Sequence, residues 1–228
     1  MRALNLKIRY LDHSGFSVET ASNQLIFDYY RGTVKLGDKP VYVFSSHSHP
    51  DHYNSVILDW QKEKQNIHYI FSSDIEVSQP NSSITIMSPY EATKLGDLNI
   101  KTFGSTDQGV SFLLESEGVR IFHAGDLNWW YWWGDTEEGI AQATADFKAE
   151  IAKIKGEQID LAFFPVDPRL EHNYGLGAEY FIQEIKPRFL IPMHFWGNQE
   201  AISKFAGEML ERPTKIITLT SPGQTIAL

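Results

Sequence analysis

Residues 45–52 read SSHSHPDH, and they directly follow VYVF, an apolar run at residues 41–44. A continuous apolar run of this kind is typical of a strand that is buried on both faces of a sheet. Three imidazoles and one carboxylate therefore lie just beyond the end of a buried strand. Burial alone cannot easily satisfy four such groups, whereas a bound metal ion would satisfy all of them. The first prediction is accordingly a metal site at this strand end.

The spacing of these side chains predicts where each one points. Side chains alternate between the two faces of an extended strand, so His47 and His49 project to the same side. Pro50 has a fixed φ and no backbone donor, so it forces the chain to turn. After that turn, Asp51 and His52 can face a second point nearby. One short stretch thus supplies ligands in two directions.

Composition limits which groups can hold a metal. The chain has 228 residues and no cysteine, so disulfides and thiolate ligands are excluded. Imidazole and carboxylate must then hold any metal ion. Zinc is the expected cofactor, as one or two ions, and manganese or iron(II) are alternatives that accept the same donors.

Charge and hydropathy limit the kinds of molecule that this chain is expected to bind. Twenty basic and 29 acidic residues give a formal net charge of −9, and no dense basic run is present. Such a surface repels phosphate backbones and anionic lipids, so we expect a small-molecule substrate and neither a nucleic-acid nor a membrane partner. The first residues carry no signal-peptide hydrophobic stretch, and no run approaches membrane-spanning length. These features predict a cytoplasmic enzyme.

Periodicity predicts a strand-rich first half and a mixed second half. Strands are predicted at residues 6–11, 16–20, 25–27, 41–44, 67–71, 83–87, 98–103, 110–115, 119–122, 159–164, 188–191, 215–219 and 224–227. Helices are predicted at residues 53–64, 137–155, 178–186 and 199–211, with Asp135 or Thr136 as the N-cap of the second. No repeat or linker divides residues 1–228. We therefore expect a single domain with a layered α/β (α+β) fold and helices outside the sheets.

The pattern H-x-H-x-D-H at residues 47–52 resembles the signature of the metallo-β-lactamase fold superfamily of hydrolases. Two later segments extend the resemblance in order. FHAGD at residues 122–126 is similar to the family's glycine-aspartate motif, and IPMHF at 191–195 is similar to the strand end that supplies the last histidine ligand. LDHSGF at 11–16 and LIFD at 25–28 resemble the start of the lactonase-like branch, which includes L-ascorbate-6-phosphate lactonase.

The resemblance implies a four-layer αβ/βα sandwich with the metals at one edge between two sheets. It also implies a ligand for each position of the site. His47 and His49 would belong to metal site 1, Asp51, His52 and His194 would belong to site 2, and Asp126 would bridge the two. Asp28 is implied to buttress the histidine loop without binding metal.

Metal ions held by such ligands indicate a hydrolytic enzyme. Two such cations lower the pKa of a shared water from about 15.7 to about 7. The resulting metal-bound hydroxide is a nucleophile, and Asp51 can orient it and later take its proton. Asp51 and Asp126 are the predicted catalytic residues. We thus predict a metal-dependent hydrolase that acts on a small ester, lactone or phosphoester.

One ligand of the family pattern is absent. The family supplies a third site-1 histidine from the segment that here reads FGSTDQG, at residues 103–109. Asp107 is the nearest substitute by type, and Thr106 or a water molecule would be a weaker one. We therefore expect site 2 to be the tighter site and site 1 to be partly filled or metal-selective.

Candidate substrate contacts lie in two segments, and each has a structural alternative. Trp129 and Trp130 begin the aromatic run at 129–133, which forms either a pocket wall or a hydrophobic plug. Arg169 or His172 can grip a substrate anion, or their segment can be a plain surface loop.

Three histidines outside the motif complete the candidates. His13 either makes a polar contact in the site or an ordinary turn hydrogen bond. His123 can replace the missing ligand, but a histidine in the core or behind the ligands is the favoured interpretation. His68 is expected to be a histidine satisfied within its strand.

Three other functions compete with a small-molecule hydrolase. A phosphodiesterase or nuclease, as in the ribonuclease Z branch, needs a basic docking arm, and the acidic balance argues against one. A redox di-iron protein typically has an acidic residue where His49 stands. A non-catalytic sensor that binds metal and ligand would fit an incomplete site 1. It would bind a metabolite without turnover.

Overall fold

In the part of the chain that the structure describes, two mixed β-sheets of seven strands each form the body of the fold. The computed structural model describes residues 4–79 and 81–228. The first sheet contains β1 (Lys7–Asp12), β2 (Gly15–Glu19), β3 (Gln24–Phe27), β4 (Val41–Ser45), β5 (Ile67–Ser72), β6 (Ile84–Met87) and β14 (Thr225–Ala227). The second contains β7 (Ala92–Leu95), β8 (Leu98–Phe103), β9 (Ser111–Ser116), β10 (Val119–His123), β11 (Leu161–Pro165), β12 (Phe189–Met193) and β13 (Lys215–Ile216).

Strand order brings several strand ends to one edge. The order is β14-β1-β2-β3-β4-β5-β6 in the first sheet and β13-β12-β11-β10-β9-β8-β7 in the second. Strands β3 to β6 are parallel, as are β10 to β13. Neighbouring parallel strands end on the same side of a sheet, which is where α/β folds carry their sites. Strand β4 is buried along its whole length, as its apolar run predicted.

Aromatic side chains join the two sheets in one core. Phe16 of the first sheet packs on Phe163 of the second, with ring centroids 4.3 Å apart. Phe44 meets Phe112 edge to face at 5.3 Å. All four rings are fully buried, so their apolar area stabilises the contact between the sheets.

Three α-helices cover the second sheet: α1 (Glu137–Ile154), α2 (Leu176–Ile185) and α3 (Gln199–Glu208). The Thr136 hydroxyl caps α1 by accepting a hydrogen bond from the Gly139 amide at 3.1 Å, so the N-cap is one of the two predicted residues. Phe147, Ile151 and Ile154 form its buried face. The helices predicted at 137–155, 178–186 and 199–211 are confirmed, with ends shifted by one to three residues.

The first sheet is covered by a 3₁₀ helix, Ser55–Lys62, and neighbouring loops. A helix at residues 53–64 was predicted, and the structure has a helix there that is shorter and of the 3₁₀ type. Asn54 starts the 3₁₀ helix by accepting a hydrogen bond from the Val56 amide. The Tyr69 hydroxyl donates to the Ile57 carbonyl at 2.8 Å. In an α-helix, that carbonyl would accept from the backbone amide four residues later.

The predicted four-layer sandwich is confirmed, with loops and a 3₁₀ helix in one outer layer and α-helices in the other. Strand β7 was not predicted. Its short sequence, ATKL, alternates exposed and half-buried side chains at the edge of the second sheet. The strand predicted at 215–219 is only two residues long. In the part of the chain that the structure describes, no helix combines the length and the apolar character needed to cross a bilayer.

Candidate metal centre

Among residues 4–79 and 81–228, seven side chains that could hold a metal ion meet at the edge between the sheets. They form two groups, and within each group one ligand atom per residue lies within 4.8 Å of all the others. The first group is His13, Asp51, His52 and His194, and the second is His47, His49 and Asp126. The structure thus brings the sequence-predicted ligands together, and it adds His13 to the first group.

Asp126 lies between the two groups. Its Oδ1 atom is 3.1 Å from His52 Nε2 and 3.4 Å from His194 Nε2. Its Oδ2 atom is 3.6 Å from His47 Nε2. One carboxylate therefore faces both groups, and it is 5% exposed.

The donor atoms suit a cation because they lack partners inside the protein. Within residues 4–79 and 81–228, four of them are buried and make no hydrogen bond: His13 Nε2, His47 Nε2, His52 Nε2 and Asp126 Oδ1. Buried polar atoms in folded proteins nearly always have a partner. Imidazole and carboxylate are also ligands that zinc, manganese and iron accept. The residues present therefore fit a metal ion.

Asp28 orients the histidine loop from behind. Its Oδ2 atom accepts from His52 Nδ1 at 2.7 Å, which leaves the Nε2 atom of that ring facing the site. The same carboxylate accepts from the Ser46 amide and hydroxyl at 2.8 and 2.7 Å. Burial opposes its charged form, but the imidazoles of His123 and His52 keep the pKa of Asp28 below its ordinary value. Asp28 thus buttresses the loop, in the place that the resemblance implied.

Ser46 connects Asp28 to His47, which belongs to the second group. Its hydroxyl donates to Asp28, so it can accept from His47 Nδ1, which lies 3.0 Å away. Gly109 and Gly125 let two loops of the second sheet pack closely on Ser46. A Cβ on Gly125 would lie 2.7 Å from the Ser46 Cβ, and one on Gly109 would lie 2.0 Å from the Ser46 carbonyl oxygen. Both glycines also have positive φ, so other residues would be strained there.

Asp167 orients His194 in the same way and was missed by the sequence analysis. Its Oδ2 atom accepts from His194 Nδ1 at 3.0 Å, so the Nε2 atom faces Asp126. Arg169 holds the Asp167 carboxylate through its backbone amide and through its guanidinium, with Nη2 at 2.6 Å. Burial opposes the charged form, but these hydrogen bonds keep the pKa of Asp167 low. Its position just after the carboxyl end of β11 was the available signal.

The charges around His52 favour a positive charge at this point. Burial alone would lower the pKa of His52, but the carboxylates of Asp126 and Asp28 raise it well above its ordinary value. A proton or a metal ion can supply that positive charge. The site is therefore electrostatically prepared for a cation.

Backbone strain is concentrated at the site. His13, Asp28, His194 and Trp196 all have φ between +40° and +62°, a region that residues other than glycine seldom adopt. Such residues persist only where the surrounding structure holds them, and they cluster at functional sites. Here the His194 amide donates to the His13 carbonyl at 3.3 Å and joins two of them.

The second group has three donors, and Asp107 stands at its margin. The Asp107 Oδ2 atom is 3.9 Å from His49 Nδ1, and its side chain is 48% exposed. Burial and the nearby charge of Asp126 raise the pKa of Asp107. The Thr106 hydroxyl donates to the Asn128 carbonyl at 2.6 Å, so its proton is engaged away from the site. Asp107 thus remains a candidate third ligand next to His49.

A cavity of about 450 Å³ opens over the metal-ligating side chains. Three tryptophans and Arg169 form much of its wall. The guanidinium of Arg169 lies 4.6 Å from the ring centroid of Trp196 and 5.5 Å from that of Trp132. Trp130 stacks on Trp132 at 5.8 Å and donates from Nε1 to the Asp126 carbonyl at 3.1 Å. The complete lining is His49, Asp51, Thr106, Asp107, Asp126, Trp130, Trp132, Arg169, His194 and Trp196.

Two predicted substrate contacts, Trp129 and His172, do not line this cavity. Trp129 is 9% exposed, stacks on Phe147 and donates from Nε1 to Thr144, so its indole is part of the core. His172 is exposed, and its ring packs against Trp133 at 5.0 Å. The hydrophobic-plug and surface-loop alternatives therefore describe these two residues. Trp132 and Trp196 line the cavity in their place.

The two neighbouring tryptophans should respond differently to truncation. We expect Trp129→Ala to lower the free energy of unfolding by about 3–5 kcal/mol, because it empties a packed core position. Trp130 is only half-buried, so Trp130→Ala should destabilise the fold less while changing substrate binding. Urea unfolding of both variants measures the difference. Equal losses of stability would contradict this division into core and wall.

His123 does not supply the missing ligand. Its Nε2 atom donates to the Ser14 carbonyl at 2.9 Å, and its Nδ1 atom accepts from the Gly125 amide at 3.2 Å. Its ring stacks on Phe27 at 5.0 Å. Both ring nitrogens are therefore engaged in the core. His68 stacks on Tyr42 within the first sheet, as expected for a strand histidine.

Comparisons with known proteins give one family and one fold. A model described as a beta-lactamase superfamily domain matches residues 7–130. A UPF0173 metal-dependent hydrolase of Symbiobacterium thermophilum is 25% identical over 244 residues, covering 98% of this chain and all of that protein. A second from Thermococcus kodakarensis is 23% identical over 245 residues, with 98% of this chain and all of that protein covered. The structure of Igni18, described as a novel metallo hydrolase from Ignicoccus hospitalis, superposes with a TM-score of 0.68 at 18% identity and 98% coverage of both chains.

Proposed function

Because the chain belongs to the metallo-β-lactamase fold superfamily, we propose that it is a metal-dependent hydrolase of a small ester, lactone or phosphoester. One observation carries the proposal: Asp126 faces both groups, and the Nε2 atoms of His13, His47 and His52 are buried there without a hydrogen-bond partner within the described residues. The metal-dependent hydrolases that match nearly the whole chain support it.

The residues of the site would hold different ions. His52, His194 and Asp51 would hold one ion, His47 and His49 would hold the other, and Asp126 would contact both. We propose zinc, with manganese or iron(II) as alternatives. A bound ion would make water a nucleophile near neutral pH and would polarise the carbonyl or phosphoryl group under attack.

Asp51 is the residue we propose to orient the attacking water. It lines the cavity, and its side chain is 27% exposed, so a solvent molecule can reach it. Burial opposes its charged form, but His13 and His52 lower the pKa of Asp51, which is therefore ionised at neutral pH. A carboxylate in this state accepts a hydrogen bond from water and can take up its proton.

The cavity supports a small-molecule substrate with an anionic group. Its volume of about 450 Å³ suits a compact ligand. Trp130, Trp132 and Trp196 offer flat apolar faces, and Arg169 adds a cation at the wall. The net charge of −9 makes nucleic-acid and membrane partners unfavourable. The proposed partner is therefore a small ester, lactone or phosphoester alone.

The test combines metal content with turnover. Protein purified without added metal is analysed by inductively coupled plasma mass spectrometry and assayed on a panel of esters, lactones, phosphomonoesters and phosphodiesters. We expect about one to two equivalents of metal, loss of turnover after chelation, and its return on adding zinc, manganese or iron(II). A fully loaded protein without turnover on the whole panel would favour the sensor. Turnover that survives complete chelation would contradict the proposal.

A further inference from the structure

We propose that His13 is itself a metal ligand, so that His13, Asp51, His52 and His194 form a four-donor site that takes the first ion. The inference rests on the proposed function only in assuming that an ion binds at this edge. The turn between β1 and β2 thus contributes a ligand that neither the histidine motif nor the glycine-aspartate motif contains.

The surroundings of the His13 ring support coordination. The residue is 4% exposed, and its Nε2 atom makes no hydrogen bond within the described residues. That atom lies 3.2 Å from Asp51 Oδ2, and one ligand atom of each of the four residues lies within 4.8 Å of the others. A buried imidazole nitrogen without a partner, aimed at a carboxylate and two more imidazoles, has the surroundings of a metal ligand.

The ring of His13 is held in one orientation. It packs against two other rings, with centroids 4.2 Å from His194 and 4.4 Å from Trp196. The backbone at His13 is left-handed, with φ of +52°, and its carbonyl accepts from the His194 amide at 3.3 Å. The turn is therefore tied to the loop that carries another ligand. This rigidity presents the Nε2 atom at a fixed point, which lowers the entropic cost of binding an ion.

The two roles weighed for His13 from the sequence agree less well with the structure. A substrate contact would need access to the cavity, and His13 is not among the residues that line it. A turn hydrogen bond would not account for Nε2, which is buried and makes no hydrogen bond within the described residues. Coordination accounts for both observations.

The proposal also assigns different tasks to the two groups. The first group would offer its ion three imidazoles and the Asp51 carboxylate, and Asp126 Oδ1 lies 3.1 Å from His52 Nε2 and 3.4 Å from His194 Nε2. The second group would offer two imidazoles and the Asp126 carboxylate, which is one donor fewer and is the number of protein ligands typical of catalytic zinc sites. The four-donor group should therefore bind its ion more tightly.

X-ray absorption spectroscopy counts the imidazoles directly. Metal-free protein is given one equivalent of zinc and nothing else. We expect three imidazole ligands in the wild-type chain, from His13, His52 and His194. Zinc in the other group would show two, from His47 and His49. A wild-type count of two would therefore overturn the proposal, and this measurement does not depend on any variant folding.

A variant gives the second measurement. His13→Asn suits the left-handed backbone, since asparagine tolerates this region better than most residues. We expect its imidazole count to fall to two and its zinc affinity, measured by chelator competition, to fall more than about 100-fold. Loss of a residue that only supports a ligand costs about 10–100-fold. The matched control, His172→Asn, changes an exposed histidine and should bind zinc like the wild type.

The outcomes separate this inference from the proposed function. Zinc bound by three imidazoles without any turnover would leave the four-donor site standing and would remove the hydrolase. Turnover combined with unchanged zinc affinity in His13→Asn would do the reverse. Circular dichroism of the metal-free variant checks that the fold is intact before affinities are compared.

Discussion

Replacing Asp126 by asparagine is expected to lower kcat/KM by about 10³-fold or more. The carboxylate faces both groups of donors, so its loss would weaken the binding of every ion at the site. Metal ions supply several kcal/mol of transition-state stabilisation, and each 1.36 kcal/mol corresponds to a factor of ten in rate. Steady-state kinetics on the substrate found in the panel, with metal content measured on the same sample, gives the result.

Asparagine has almost the same shape as aspartate, so Asp126→Asn should fold. The metal-free variant should be less stable than the metal-free wild type: burial opposes the charged form of Asp126, but His52 and His194 lower its pKa well below its ordinary value, so the charge is stabilised in the folded chain. Circular dichroism of the metal-free variant checks that it is folded. Asp146→Asn is the matched control, since Asp146 is exposed on α1. A variant at Asp126 that keeps its metal and more than a tenth of its activity would contradict the central role of this carboxylate.

Removing the metal is expected to lower the melting temperature by about 8–16 °C. An ion that binds only the folded chain, at a free concentration about 1,000 times its Kd, adds about 4.1 kcal/mol of stability. In a chain of this length, 1 kcal/mol corresponds to about 2–4 °C. The unpartnered atoms of His47 and Asp126 are among those that would gain a partner. Differential scanning calorimetry before and after chelation measures the shift.

Asp126→Asn serves again as the control for this measurement. Its melting temperature should fall less on chelation than that of the wild type, because the loss of this carboxylate weakens the binding of ions at the site. A chelator that destabilised this variant and the wild type equally would be acting on the protein surface. A wild-type protein that demonstrably lost its ions without any change in melting temperature would contradict the expected linkage.

The ligands that the sequence predicted are those carried by local motifs. His47, His49 and His52 lie within six residues, and their spacing after a buried strand was informative by itself. Asp126 and His194 were found because each ends a strand in a recognisable pattern. Most of the strands and all three α-helices were predicted on the same local basis. The helix at Ser55–Lys62 was predicted, but its 3₁₀ type was not, because the Tyr69 hydroxyl that engages its backbone comes from strand β5.

The remaining parts of the site depend on contacts between distant segments. His13 joins the donors only because the turn after β1 packs against the end of β12. Asp167 was overlooked for the same reason, since its partner His194 is 27 residues away along the chain. Trp129 and Trp130 are adjacent in sequence, yet one enters the core and the other the cavity wall. No periodicity in an aromatic run could separate them.

The donors come from both sheets, so metal binding would affect how long the folded protein survives in the cell. His47 and His52 follow β4 of the first sheet, whereas Asp126 and His194 follow strands of the second. An ion bound by all of them would cross-link the two halves of the molecule, in a chain that has no cysteine for a disulfide. Molecules without bound metal would then unfold locally more often, and cellular proteases would cleave them sooner. Metal supply would set the abundance of this protein as well as its activity.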